Sequence, residues 1–332
     1  MTLSAPGEAS TTSTGGRNGW IEAALFVLTI SVLNLSYVGA HAVGAHPVVF
    51  IVYAMLIAAA TLVAVTGPGP EAVRIISAPQ SWLVGSGIIG MEAFYFLLIW
   101  YVTPAEASVL TRLAVPVSMA MGLTLGVRTP SRGEVLGASI VTAGVLWMVV
   151  GLDPSRVAAG VSLAFASAFV MCMRTFATEF HPWNRRARTV VEKMRITGLV
   201  LAVTSSAGAL LVVLLMALAY AGILHPGHWL PTLDDFLHLP TLLVSVLVGA
   251  AVLTAMQYLA FSSVVKIGTG NFIAVTAFTP LATLIAQELA TACGVLRPMP
   301  VDWRIWPAMA VVISGVFVLL LGARAKMAAR QG

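Results

Sequence analysis

Ten runs of about twenty apolar residues, separated by short turns, leave this chain few folds to choose from. The hydrocarbon layer of a bilayer is ~30 Å thick, and a helix rising 1.5 Å per residue crosses it in about 20 residues. The runs cover residues 20–40, 48–66, 80–101, 105–126, 133–151, 158–177, 197–223, 241–265, 271–293 and 305–323. Inside a membrane each segment must satisfy its own backbone, so runs of this length read as helices and not as the alternating strands of a barrel. Composition agrees, with 59% of residues hydrophobic and 9% charged, against roughly 25% charged in a soluble domain. The expected fold class is an all-α integral membrane protein of about ten transmembrane helices.

Charge in the turns sets the orientation. With the amino terminus inside, thirteen of the eighteen Lys and Arg residues fall on the cytoplasmic side and three (Arg156, Arg297 and Arg304) on the outer side. The positive-inside rule then places both termini in the cytoplasm, and the expected location is a bacterial inner membrane. The net charge of +5 belongs to this topology. It is not a nucleic-acid footprint, because the basic residues are scattered among turns. Residues 181–195 are basic and cytoplasmic, and are expected to lie against anionic headgroups. Residues 225–240 hold metal-ligand residue types without regular helical spacing, so no metal site is assigned there. Cys172 and Cys293 are too far apart in the chain to suggest a disulfide framework.

An internal repeat divides the chain. Setting Pro116 on Pro280 aligns residues 110–125 with 274–289 without a gap, and further on Gly144-Val145 falls on Gly315-Val316 and Gly151 on Gly322. Five spans per copy is an odd number, so the second copy enters the membrane in the opposite sense, giving two inverted five-helix repeats. The resulting organisation is a disordered cytoplasmic tail at 1–18, a first repeat at 19–152, a second at 153–323 and a cytoplasmic tail at 324–332.

Within these copies, Ala107-Ser108-Val109-Leu110 leading to Pro116, then Arg132 through Gly137-Ala138 to Gly144-Val145-Leu146, resembles the EamA-type repeat of the drug/metabolite transporter superfamily. Phe272 to Pro280, followed by Ser314-Gly315-Val316, is similar to its second copy. The resemblance implies a ten-helix carrier with a central cavity lined by the first, third and fourth helices of each repeat. The chain departs from that pattern at Tyr53, where an arginine is usual, and at Val127, where a glutamate is.

Charges buried in the spans supply the candidate site. Glu92 lies about 10 residues before the turn at 101–104 and Arg112 about 10 after it, so both sit ~15 Å below one surface. An ion at that depth needs a partner, a polar cavity or a function. One reading is a buried Glu92–Arg112 pair that pins the third helix to the fourth; the other is a pair that exchanges partners, Glu92 taking an ammonium or a proton and Arg112 a carboxylate or phosphate. Arg174, about 15 residues into the sixth run, has no acidic neighbour on its own helix and is a candidate anion ligand. Asn34 and Gln257 are midplane amides that either bond a neighbouring helix or face a substrate. Tyr95 and Tyr258 are aromatic surfaces for stacking. Thr276 aligns with Arg112, and Pro116 and Pro280 each free a carbonyl one turn earlier, marking helices that bend or line a cavity.

The functional expectation is a secondary transporter, not an enzyme, that moves a small polar metabolite by alternating access. An exporter of amino-acid-like or amphiphilic metabolites comes first, because the site carries both signs of charge and aromatic surface. An organic-anion or sugar-phosphate carrier is the second reading, favoured by two buried arginines. An integral-membrane lipid-modifying enzyme is the third, and would need an interfacial cluster of His, Asp or Cys. The partners expected are the small-molecule substrate, protons as coupling ion and membrane lipids, with no nucleic acid and no cofactor.

Overall fold

The computed structural model describes residues 13–224, 230–298 and 302–331, and all the regular secondary structure in them is helical. Ten helices are long and apolar enough to cross a membrane: α1 (Arg17–Ala42), α2 (Pro47–Thr66), α3 (Pro79–Leu98), α4 (Pro104–Thr124), α5 (Arg132–Val150), α6 (Pro154–Glu179), α7 (Val190–Tyr220), α8 (Leu239–Ile267), α9 (Thr269–Ala292) and α10 (Ile305–Ala323). This is an all-α membrane protein of about ten helices. Ten consecutive crossings return the chain to the face from which it started, here called the terminal face.

Local chemistry fixes where the helices begin. Proline occupies the first turn of α2, α3, α4, α6 and α8, where its missing N–H costs nothing. Reciprocal capping boxes start α4 (Thr103 with Glu106), α5 (Ser131 with Glu134) and α7 (Thr189 with Glu192). Three spans are irregular. A 3₁₀ turn at Thr111–Leu113 interrupts α4 just before Pro116, a turn at 277–278 interrupts α9 just before Pro280, and a π segment at Val248–Leu253 interrupts α8.

The helices pack mainly as α5 on α10, α3 on α6, α2 on α7 and α1 on α8, with α4 and α9 meeting in the interior. Glycine makes the α5–α10 seam a backbone-to-backbone contact. A Cβ on Gly137 would stand 2.5 Å from the Gly315 carbonyl oxygen, and one on Gly133 would stand 2.9 Å from Gly322 Cα. Small residues drive membrane helices together in this way, because lipid supplies no hydrophobic force between them.

Three expectations need correction. Helix α1 is preceded by further helix from Ser13, so residues 13–18 are not a disordered tail; residues 1–12 lie outside the described residues. Helix α10 continues as far as Gln331, so the expected tail at 324–332 is helical through that residue. The basic stretch at 181–195, expected against anionic headgroups, also packs inward, because His181, Asn184 and Lys193 are buried. Asn184 donates its backbone N–H to His181 Nδ1 (3.3 Å), which leaves Nε2 to donate to Ser81 Oγ (2.9 Å), and Ser81 in turn donates to the Ile75 carbonyl (2.5 Å). Asn184 Nδ2 reaches the Phe261 carbonyl at 2.8 Å, tying the connector to α8. Burial pushes the His181 imidazole down to about 4. Of the segment at 225–240, residues 225–229 lie outside the described residues, and the rest includes a short capped helix, Leu233–Leu237.

Candidate functional site

Two helix breaks and one polar cluster occupy the middle of the bundle, and the sequence-predicted residues divide between them. At the breaks, Pro280 has no N–H to give the Thr276 carbonyl four residues earlier, which leaves that oxygen without its helical donor. Arg112 fills the vacancy. Its Nη1 donates to the Thr276 carbonyl across the α4–α9 interface, Nε to the Ser108 carbonyl (2.9 Å) and Nη2 to Thr111 Oγ1 (3.0 Å). Thr276 turns its own hydroxyl back to the Ile273 carbonyl at 2.8 Å. Arg112 is thus a staple between the two breaks, and its three bonds go to α4 and α9.

Glu92 does not pair with Arg112. Tyr37 of α1 donates its hydroxyl to Glu92 Oε2 at 2.5 Å, and Oε1 is buried with no hydrogen-bond partner. The basic group whose charge bears on Glu92 is Arg174 of α6, although among the described residues the two form no ion pair. Helix α6 runs to Glu179, so Arg174 starts only five residues from the helix end, closer to the terminal face than the sequence suggested. Its Cβ packs where a Cβ on Gly87 of α3 would lie, 2.6 Å away, and its Nη1 donates to Gln257 Oε1 at 3.1 Å. The far ends of the pair are unsatisfied: Arg174 Nη2 and Gln257 Nε2 are both buried without a partner. A cavity of about 10 Å³ beside them, lined in part by Val84, Ile88 and Phe272, has room for about one water.

Four helices therefore contribute two hydrogen-bonded pairs, Tyr37–Glu92 between α1 and α3 and Arg174–Gln257 between α6 and α8, which the charge of Arg174 on Glu92 links into one cluster. It contains a carboxylate oxygen that can accept and two N–H groups that can donate, all cut off from water. Buried polar groups in native proteins are nearly always satisfied, so each of these three orphans needs a reason. Neither end of the bundle opens onto them. A vestibule of about 270 Å³ at the terminal face reaches Val115 and Ala274, one turn short of the Arg112 staple. A cleft of about 330 Å³ at the opposite face is lined by His41, Trp100, Glu106 and Arg156.

The other sequence candidates lie outside the cluster. Asn34 donates to Thr283 Oγ1 (3.1 Å), which bonds Ser31 Oγ (3.3 Å), so it joins α1 to α9. Tyr95 donates to the Pro104 carbonyl (3.1 Å) and closes the α3–α4 turn, with its ring 6.0 Å from that of Tyr37. Tyr258 is only partly buried. Pro116 and Pro280 sit at the breaks, as their chemistry requires. Sequence reasoning missed Tyr37, although its spacing from Ser31 and Asn34, six and three residues earlier, puts all three on one face of α1.

No family model and no curated protein matches the chain. A solved structure described as "Crystal structure of protein" superposes on 94% of this chain and 99% of its own, with a TM-score of 0.59 and 19% identity. At that identity the likeness shows a shared fold alone.

Proposed function

We propose that this chain is a secondary carrier that moves a small polar metabolite by alternating access, on an EamA-type plan of two inverted five-helix repeats with both termini cytoplasmic in a bacterial inner membrane. The observation that carries the reading is the occluded cluster, in which Glu92 Oε1, Arg174 Nη2 and Gln257 Nε2 lie buried and unpartnered among four helices. A purely architectural ion would be bonded as fully as Arg112 is. Orphaned groups are costly in hydrocarbon, and an incoming solute with matching polarity relieves that cost.

The symmetry of the packing supports the repeat. Exchanging each helix for the one five places along turns the α3–α6 pair into α8–α1 and maps α2–α7, α4–α9 and α5–α10 onto themselves. The seam keeps the sequence register as well. Setting Gly144 on Gly315 sends the Gly137–Gly315 contact onto Ala308–Gly144 and the Gly133–Gly322 contact onto Arg304–Gly151, and both counterparts occur. Inverted repeats of this kind bind substrate near midplane, where the halves meet.

The cargo that best fits the cluster is an amino-acid-like or other amphiphilic metabolite, moved outward. Glu92 Oε1 offers an acceptor for an ammonium, and Arg174 with Gln257 offers two donors for a carboxylate. Glu92 is also the proposed site of proton coupling. Counterflow in proteoliposomes, screened with labelled amino acids, organic phosphates and quaternary amines, tests the reading. Exchange of an amino-acid-like solute is expected; no exchange of any solute would sink it. Loss of the pH-gradient dependence in Glu92→Gln is the outcome expected for proton coupling, and unchanged dependence would remove that part alone.

A further inference from the structure

The vestibule at the terminal face has a chemistry of its own. Its charged wall consists of Arg128, Glu134 and Glu179. Arg128 and Glu134 form an ion pair, and the other Glu134 oxygen accepts the Ser131 N–H, so this pair contributes no net charge and its carboxylate is fully occupied. Glu179 is different. One of its oxygens accepts the Thr269 N–H at the start of α9 (2.8 Å), while Oε1 lies 3.5 Å from where a Cβ on Gly268 would stand and makes no hydrogen bond among the described residues. The wall therefore carries one net negative charge with a carboxylate oxygen to spare.

The neutral polar groups lean the same way. Asn271 spends its amide N–H on the Ile267 carbonyl (2.8 Å), which leaves its Oδ1 as acceptor. Thr269, 1% exposed, holds a buried hydroxyl with no partner. Phe176 lines the same space. Three oxygen acceptors and one net negative charge on the wall suit an ammonium group on an apolar body better than a carboxylate, although the Arg128 guanidinium stands beside Gly270 in the same space.

We infer that this vestibule is a binding site for the ammonium end of a small amphiphilic amine, with Glu179 as its counter-ion, separate from the Glu92–Arg174–Gln257 cluster. The inference rests on the carrier reading only for its use as a loading point; binding itself does not depend on transport.

The test is calorimetric titration of 3-methylbutylammonium into the full chain in lipid nanodiscs, with 3-methylbutanoate as the anionic match and empty nanodiscs as the blank. The amine binds and the carboxylate does not. Glu179→Gln keeps an oxygen for the Thr269 N–H but removes the charge, and weakens the amine by about tenfold or more. Phe176→Leu, which breaks no hydrogen bond, weakens it by about threefold. Arg128→Gln releases Glu134, makes the wall more negative and tightens binding, an effect that mere damage to the vestibule would not give. Equal binding of the carboxylate, unchanged affinity in Glu179→Gln, or weaker binding in Arg128→Gln overturns the inference. Loss of amine binding in Glu92→Gln also overturns it, by placing the site in the cluster. Retained binding with failed counterflow leaves this site standing and removes the carrier reading.

Discussion

Glu92 and Arg112 are buried alike, 2% and 3% exposed, yet the molecule treats them in opposite ways. Arg112 spends each guanidinium nitrogen on an oxygen of α4 or α9. Glu92 has one bond, from Tyr37, and one oxygen with nothing to accept from. Both ions pay the same desolvation, but one is part of the scaffold and the other is left open. Depth in the membrane therefore does not separate these two charges; the state of their hydrogen bonds does.

This contrast breaks if substitutions at the two sites behave alike. The largest effect is expected in Glu92→Gln, where counterflow falls by at least about tenfold while the new amide oxygen still accepts from Tyr37, so that Tm moves less than in Arg112→Met. Arg112→Met should do the reverse. It leaves the Thr276 carbonyl without a donor and costs about 1–3 kcal/mol in thermal or denaturant unfolding. In a Pro280→Ala background, position 280 regains an N–H for that carbonyl, so the same Arg112→Met change should cost under about 1 kcal/mol. Additive losses in that cycle would show that the staple does not serve the proline break.

His181 extends the comparison to a buried group with both ring nitrogens bonded. Its pKa falls from 6.5 to about 4 on folding, so the unfolded chain binds a proton that the folded chain refuses. Stability is thus full above about pH 6.5 and is lost as pH drops towards 4, and His181→Gln should flatten that slope in melts across the range. The smallest effect is expected at Asn34. Asn34→Leu removes one bond between α1 and α9 and should cost about 0.6 kcal/mol in unfolding, with counterflow retained.

Most of the fold was legible because a bilayer demands long apolar runs, and all ten lie where the helices do. The ends were less so. Helices α6 and α7 run beyond their apolar cores through Arg156 and Arg195, since a helix need not stop where hydrocarbon does. Burial of His181 and Asn184 was invisible because polar connectors read as solvated. Among the buried polar residues, Glu92, Arg174 and Gln257 were singled out individually from their depth. Their grouping was not, because depth along a helix says nothing about direction around it, and each residue turns the helix by about 100°. That is also why Glu92 and Arg112, level in the membrane, were read as a pair. The Arg112–Thr276 contact was half visible: the aligned prolines marked the freed carbonyl but not the side chain that meets it.

The π segment of α8 has a consequence for how this chain tolerates insertion and deletion. A π turn holds one more residue than the α-helical turn it replaces, so the helix before Val248–Leu253 is offset by about 100° from the phase it would have without the segment. Gly249 must lie against α2, where a Cβ would stand 2.5 Å from the Ala54 carbonyl oxygen, while Gln257 must face Arg174. Loss of one residue between 248 and 253 would let α8 run straight and satisfy only one of those two demands. The length of this stretch is therefore held as tightly as the glycine at 249.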